Sequence, residues 1–417
     1  MEYKLEPIGD SLYIKGRIGW KGLKKSEYLE SGEYRIINGK ALTSNGIDWN
    51  ECGFISKERY EESPEIMLET NDIVITKDGT IGKVDIIKSL DKPTTVASGL
   101  FVLRNSNPEE FNTMFIYYFL KSPIFKQFIE VRKEGSVIPH LYQKDFVELE
   151  IPKFNINNQK LIANILCSID NKIDNNKQII KNLEELSQTL FKRWFVDFEF
   201  PDEDGNSYKS SGGEMIDSEL GEIPKNWSIK TVKEIAESFN SIRKPLSKLE
   251  REKRESIYPY YGATKIIDYV DSYIFDGKYI LVGEDGTVQT EAGNPFIQYV
   301  WGKFWVSNHA HILKGKLISD ELLMLYLKNI NVAPYITGAV QPKLNKKNLN
   351  SIKFVIANKE TIIKFENFIK SYFQKIRILN KENKKLIELR DTLLPKLMSG
   401  ELEIPDDMEV NMGELSI

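Results

Sequence analysis

Stretches of this chain recur at a separation of about 200 residues, and no other feature narrows its choice of fold as much. Gly135-Ser-Val-Ile-Pro139-His-Leu141-Tyr-Gln-Lys144 aligns with Gly338-Ala-Val-Gln-Pro342-Lys-Leu344-Asn-Lys-Lys347 at an offset of 203. The same offset pairs Leu183-Glu-Glu185-Leu186-Ser-Gln-Thr189-Leu190 with Leu386-Ile-Glu388-Leu389-Arg-Asp-Thr392-Leu393. Upstream, Asp78-Gly79-Thr80 pairs with Asp285-Gly286-Thr287 at an offset of 207. Solenoid repeats run to about 20–50 residues, so this period is too long for one. It reads as a tandem duplication of one domain followed by one helix. The 417 residues, about three domains' worth, leave room for both copies.

Within a copy the pattern is mixed. Asp72-Ile-Val-Ile-Thr76 and Gly99-Leu-Phe-Val-Leu-Arg104 predict strands in the first, as do Tyr279-Ile-Leu-Val282 and Phe296-Ile-Gln-Tyr-Val300 in the second. Helices are predicted over 111–132 and 320–329, and closing strands over 147–152 and 352–356. A long helix then follows in each. Positions 162, 166, 169, 173, 176, 180, 183, 187, 190 and 194 step by four and three, and eight of the ten are apolar. The second series, Phe365, Ile369, Tyr372, Ile376, Leu379, Asn383, Leu386, Arg390, Leu393 and Leu397, scores the same. Such a stripe predicts a coiled-coil seam, with two amphipathic helices on separate cores as the other reading. Antiparallel pairing about the seam's midpoint sets Asn176 against Asn383, Ile162 against Leu397 and Leu166 against Leu393. It also sets Ile169 against Arg390, whose guanidinium must then snorkel outward. Parallel pairing would leave both asparagines among apolar partners, so antiparallel is expected, with Asn176 and Asn383 fixing the register.

Net charge is −4, which alone argues against a polyanionic partner. The distribution reverses that. Residues 202–222 carry a net −6 and residues 401–417 another −6, leaving +8 on the remainder. Acidic linkers and tails often serve as solvated spacers. No run of about 18 apolar residues is present, so no membrane span is expected. The opening MEYKLEPIGD lacks the regions of a signal peptide, so the cytoplasm is the expected location. Cys52 and Cys167 cannot build a disulfide framework, and His140, His309 and His311 are too few for a His-rich metal centre.

Catalytic signatures are missing. No phosphate-binding Gly-x4-Gly-Lys-[Ser/Thr] loop, no Gly-x-Gly-x-x-Gly, no Asn-Pro-Pro-aromatic or Asp-Pro-Pro-Tyr methyltransferase motif and no convincing nuclease carboxylate set occurs. What remains are loops of donors, acceptors and aromatics: Lys77-Asp78-Gly79-Thr80, Tyr260-Tyr261-Gly262-Ala263-Thr264, Gly283-Glu284-Asp285-Gly286-Thr287 and Ser307-Asn308-His309-Ala310-His311. Each also fits an ordinary turn. His309 and His311 alternate along a predicted strand, so only one faces a given side.

The run Leu183 to Trp227 (LEELSQTLFKRWFVDFEFPDEDGNSYKSSGGEMIDSELGEIPKNW) resembles the central region of type I restriction–modification specificity subunits. Leu386 to Ile404 (LIELRDTLLPKLMSGELEI) resembles their distal region, and Tyr260 to Thr287 (YYGATKIIDYVDSYIFDGKYILVGEDGT) a frequent form of their target recognition domain. The likeness covers nearly the whole chain. It departs at the start, where Tyr3-Lys-Leu-Glu-Pro-Ile8 begins abruptly while the second domain opens with Gly221-EIPKNW227.

The resemblance implies an α+β fold: two similar mixed α/β target recognition domains joined by two long antiparallel coiled-coil helices. The expected divisions are recognition domain 1 (1–154), central helix (155–200), acidic linker (201–222), recognition domain 2 (223–356), distal helix (357–400) and acidic tail (401–417). It further implies a non-catalytic subunit that binds double-stranded DNA, each domain reading one part of a bipartite site, while the helices set the spacer and dock partners. Those partners are two methyltransferase subunits and, in a restriction enzyme, ATP-dependent restriction subunits. S-adenosylmethionine, ATP and Mg are expected on the partners, with no cofactor or metal on this chain. A self-contained methyltransferase or nuclease fusion, or a structural coiled-coil adaptor, is the alternative. By loop position and chemistry the expected DNA contacts are Lys77, Thr80, Lys83, His140 and Lys144 in the first half. In the second they are Tyr261, Thr264, Thr287, Asn308, His309, Gln341 and Lys343.

Overall fold

A computed structural model describes residues 4–44, 46–133, 140–338 and 340–404. The loop Gly135–Pro139, Ala339 and most of the acidic tail lie outside the described residues. The chain divides into two compact units, and neither is a contiguous half. Unit 1 is built from Met1–Asn176 with Lys381–Ile417, unit 2 from Lys177–Asn380.

In unit 1, β1 (Leu12–Gly16), β2 (Ile73–Thr76), β3 (Val84–Ile86) and β4 (Leu100–Asn105) form an antiparallel sheet in the order β1-β4-β2-β3. β2 reads IVIT and is buried at all four positions, as β-branched residues suit a strand covered on both faces. The helix expected over 111–132 is two helices, α1 (Thr113–Lys121) and α2 (Pro123–Lys133). Ser122 is extended because it precedes Pro123, whose ring excludes the helical conformation there. Asn112 caps α1 by accepting from the Phe115 amide at 3.0 Å. The closing strand starts at Glu150 rather than at Val147, which belongs to the short helix Gln143–Val147. Asp145 supports that helix by accepting from the Tyr142 amide at 2.7 Å. Lys4–Pro7 pairs with Glu150–Lys153 just as Ser228–Thr231 pairs with Lys353–Ile356. The first copy therefore has its own edge strand despite the abrupt start.

The first long helix, α3, spans Ile156–Phe191. In unit 2, β5 (Ala236–Ser238), β6 (Tyr279–Gly283), β7 (Ile297–Val300) and β8 (Ala310–Gly315) repeat the topology as β5-β8-β6-β7. α4 (Asp320–Lys328) packs its apolar residues into the unit 2 core, and α5 (Lys359–Met398) is the second long helix. Each unit also holds a second sheet with one parallel pairing, Tyr34–Ile37 with Thr94–Val96 and Tyr258–Tyr261 with Lys303–Val306. The acidic stretch 201–222 is folded rather than a free spacer. Phe200 stacks between Tyr208 and Trp227 at 4.5 and 4.9 Å, and Met215–Ile216 pairs with Ile223–Pro224.

The long helices meet antiparallel within each unit. In unit 1, Ile162, Leu166, Ile169 and Ile173 lie buried, and the first two share a core with Leu394, Leu397 and Met398. The Asn176 amide donates to Asn383 Oδ1 at 2.9 Å and to Glu382 at 3.0 Å. Arg390 does not reach for solvent; its guanidinium donates to Asp170 at 2.8 Å. In unit 2, Phe191 and Trp194 pack on Phe365 at 6.4 and 5.4 Å. There Phe373 takes the buried place, and Tyr372, one residue earlier in the stripe, is half-buried. α5 stops at Gly400, whose φ of +69° supplies the left-handed turn that closes a helix.

Candidate nucleic-acid interface

The site begins with a turn. In unit 1, β2 ends at Thr76, whose hydroxyl donates to the Thr80 carbonyl at 2.6 Å and accepts from the Lys83 amide at 3.0 Å. Gly79 and Gly82, at φ +70° and +83°, let the chain reverse within these few residues. Neighbouring loops clamp the turn on both sides. The Lys77 amide donates to Gly99 O and the Leu141 amide to Lys77 O, both at 2.9 Å. In unit 2 the Glu284 amide donates to His309 O and the Leu344 amide to Glu284 O, again at 2.9 Å. The two copies thus share a three-loop backbone frame, and an isolated bridge repeats with it: Asp78 with His140, Asp285 with Lys343.

The side chains on this frame differ. The Asp78 carboxylate contacts Nδ1 of His140 and accepts from Lys77 at 2.9 Å. Asp285 contacts Nδ1 of His309 at 2.5 Å, an imidazole from a different loop. In unit 1, Thr80 and Lys144 are exposed, and the Lys144 ammonium lies 5.6 Å from the Tyr142 ring. Thr80 borders a 570 Å³ hollow with Lys25, Tyr28, Asn38 and Lys40, none of which the sequence marks. Lys83 stands apart, half-buried on a 530 Å³ cavity with Lys121, Lys126 and Arg390. In unit 2, Thr287, Asn308, His309, Gln341 and Lys343 are exposed on the three loops. His309 lies in the turn before β8, and only His311 is on the strand, where it is wholly buried. Tyr261 does not join them. Its ring packs 5.7 Å from Phe304, and burial raises its phenol above the usual value. Thr264 sits half-buried in the following bend, whose Gly262 and Ala263 carbonyls accept from Gln298 at 3.0 and 3.1 Å.

A half-buried network supports the unit 2 loops. Arg243 donates to Glu284 at 2.8 Å and to the carbonyls of Asn308 and Ala310 at 3.1 and 2.7 Å. Lys343 approaches the same carboxylate at 3.5 Å. Burial raises the Glu284 carboxyl, but the hydrogen bond from Arg243 and the charges of Arg243 and Lys343 outweigh it and hold the group below its ordinary value. His311 donates or accepts in a fixed pattern. The Asn240 amide nitrogen meets Nδ1 at 2.7 Å while its oxygen accepts from the Ile312 amide, so Nδ1 is the acceptor and Nε2–H donates to Leu344 O at 2.6 Å. Burial lowers the His311 pKa accordingly. Arg243 and Glu284 escape notice in the sequence because they are 41 positions apart. The one available signal is that Glu284 stands where the duplicated turn has Lys77.

Among the described residues no group of three His, Cys, Asp or Glu side chains is placed to hold a metal ion. No described helix is long and apolar enough to cross a membrane. A duplicated α+β domain, each copy presenting polar loops on one shared frame, makes this a tandem recognition-domain protein. The model of the type I restriction modification DNA specificity domain matches residues 7–185 and again 224–388, and the chain belongs to that family. It is 25% identical over 372 residues to the type I restriction enzyme MjaIX specificity subunit of Methanocaldococcus jannaschii, covering 84% of this chain and 82% of that one. It is 38% identical over 128 residues to a putative type I restriction enzyme specificity subunit of Haemophilus influenzae, covering 30% of this chain and 32% of that protein. The fold matches the crystal structure of a type I restriction–modification system S subunit from M. genitalium with a TM-score of 0.58, at 23% identity and 97% coverage of both chains.

Proposed function

We propose that this chain is the sequence-specific DNA-binding subunit of a type I restriction–modification complex, with each unit reading one part of a bipartite duplex site. The shared backbone frame carrying different exposed side chains supports that reading most directly. A common frame sets three loops in one geometry, and Thr80, His140 and Lys144 then offer base edges and phosphates a different pattern from Thr287, Asn308, His309, Gln341 and Lys343. Different patterns read different half-sites, whereas identical ones would read a palindrome. The paired helices set the gap and dock two methyltransferase subunits, to which ATP-dependent restriction subunits are added in a restriction enzyme. S-adenosylmethionine, ATP and Mg belong to those partners, and the complex works in the cytoplasm. This chain is non-catalytic by itself.

The test has two arms. The purified chain, incubated with S-adenosylmethionine and plasmid DNA, should transfer no methyl groups. Turnover that survives removal of all trace partner protein overturns the scaffold reading in favour of a methyltransferase fusion. With modification subunits added, mapping of methyladenine should return a bipartite motif. Exchange of residues 1–154 for a relative's domain should change one half of it. A change in both halves would show that the domains are not independent readers, and failure to bind any DNA favours a structural adaptor.

A further inference from the structure

The turn after β2 and the turn after β6 have one backbone and opposite charge. Lys77 and Glu284 make the same two main-chain hydrogen bonds, and their side chains are each 13% exposed. Both therefore point largely away from water, into the loops that carry the exposed side chains. Lys77 lies 5.5 Å from the Phe101 ring and pairs with Asp78, which also holds His140. Glu284 faces the opposite set, Arg243 and Lys343, with the neutral His311 ring 3.6 Å away.

We infer that position 77 in unit 1 and its equivalent 284 in unit 2 determine specificity, as positioning residues whose charge selects how the adjoining loops are held against DNA. The inference rests on reading each unit as a DNA reader. In unit 2 one carboxylate organises all three loops. It anchors Arg243, whose other hydrogen bonds fix the carbonyls of Asn308 and Ala310 on either side of His309. It also restrains Lys343 on the third loop, and its own backbone sets Asp285 against His309. A lysine at 284 would repel Arg243 and Lys343 in a half-buried setting, where charges act strongly. In unit 1 the cation sits on the turn and the anion beside it, so His140 is held through Asp78 with no counterpart of that carboxylate clamp among the described residues. The frame is constant and the inner charge is the variable.

The experiment uses the assembled complex with its modification subunits. Methyladenine is mapped for the parent, Glu284→Gln, Glu284→Asp and Lys77→Gln. Glu284→Gln keeps the shape and removes the charge. It should relax only the half-site read by unit 2, raising methylation of single-mismatch sites by about tenfold, in line with the loss of one well-placed base contact. Glu284→Asp, which keeps the charge, should restore stringency, a rescue that loss of packing alone would not give. Lys77→Gln should relax only the other half. The inference is overturned if Glu284→Gln methylates the parental motif with parental stringency, if both halves relax together, or if Glu284→Asp is as relaxed as Glu284→Gln. Should Glu284→Gln not fold, Lys77→Gln decides the matter alone. A parent complex that methylates no bipartite motif would instead count against the function proposed above.

Discussion

His311 is a neutral group by construction. An amide donor on Nδ1 and a carbonyl acceptor beside Nε2 leave no place for a second ring proton, and burial lowers the pKa from 6.5. The sign of the pH dependence follows. As pH falls below about 6.5 the unfolded chain takes up this proton first, so the folded state loses stability. The slope is about 1.4 kcal/mol per pH unit until the folded group also titrates. His311→Gln retains an acceptor and a donor but no proton site. Urea unfolding between about pH 6 and 5 should approach that slope in the parent and lose it in His311→Gln. Equal slopes would assign the acid sensitivity elsewhere. Glu284 adds a second loss only at lower pH, because its carboxyl is held below 4.5. At this scale the sequence discloses exposed polar loop residues such as Thr287 and Lys343, since turn chemistry is local. It does not disclose Arg243, Glu284 or the burial of the Tyr261 ring, because those roles come from strands brought together over long separations.

Helices and strands were legible to different depths. A stripe repeating every three and four residues encodes a helix face directly, so the seam from Ile162 to Trp194 emerges without any tertiary information. Helix ends are set by caps and by proline, which explains the break at Ser122–Pro123 and the short capped helix that includes Val147, where a strand is predicted to begin. The seam also carries a measurable pair. Asn176 donates to Asn383, while its own Oδ1 is buried with no partner among the described residues. Asn176→Leu removes the donor that Asn383 uses, and should destabilise by about 1–3 kcal/mol. Asn383→Leu should cost less than Asn176→Leu, because the Asn176 amide still reaches Glu382 at 3.0 Å. Replacing both asparagines removes the polar groups together and should recover much of the loss. A double-mutant cycle by chemical denaturation should therefore give a coupling above about 0.5 kcal/mol, and simple additivity would count against the contact.

At the scale of the molecule, duplication was visible as a repeat, but the composition of the units was not. Unit 1 takes the last part of α5 and unit 2 takes the last part of α3, an exchange that no local pattern encodes. Only the antiparallel register hinted at it, since pairing Ile162 with Leu397 requires the C-terminal segment to return to the first domain. Both helices run unbroken past the unit boundaries at Asn176–Lys177 and Asn380–Lys381. This makes the helix pair the element to alter in testing what measures the gap between half-sites. Inserting four residues into each helix at those boundaries adds about 6 Å of rise. That is nearly two base pairs at about 3.4 Å each. Four residues turn a helix by about 400°, so the seam shifts by only about 40° and can be absorbed as a stutter. No loop of either frame is touched, so both half-sites should stay as they are while the methylated motif lengthens by one or two base pairs. Inserting two residues rotates the stripes by about 200° and should abolish the pairing and the methylation with it. A four-residue variant that methylates the parental motif at the parental spacing would show that some other part of the complex measures the gap.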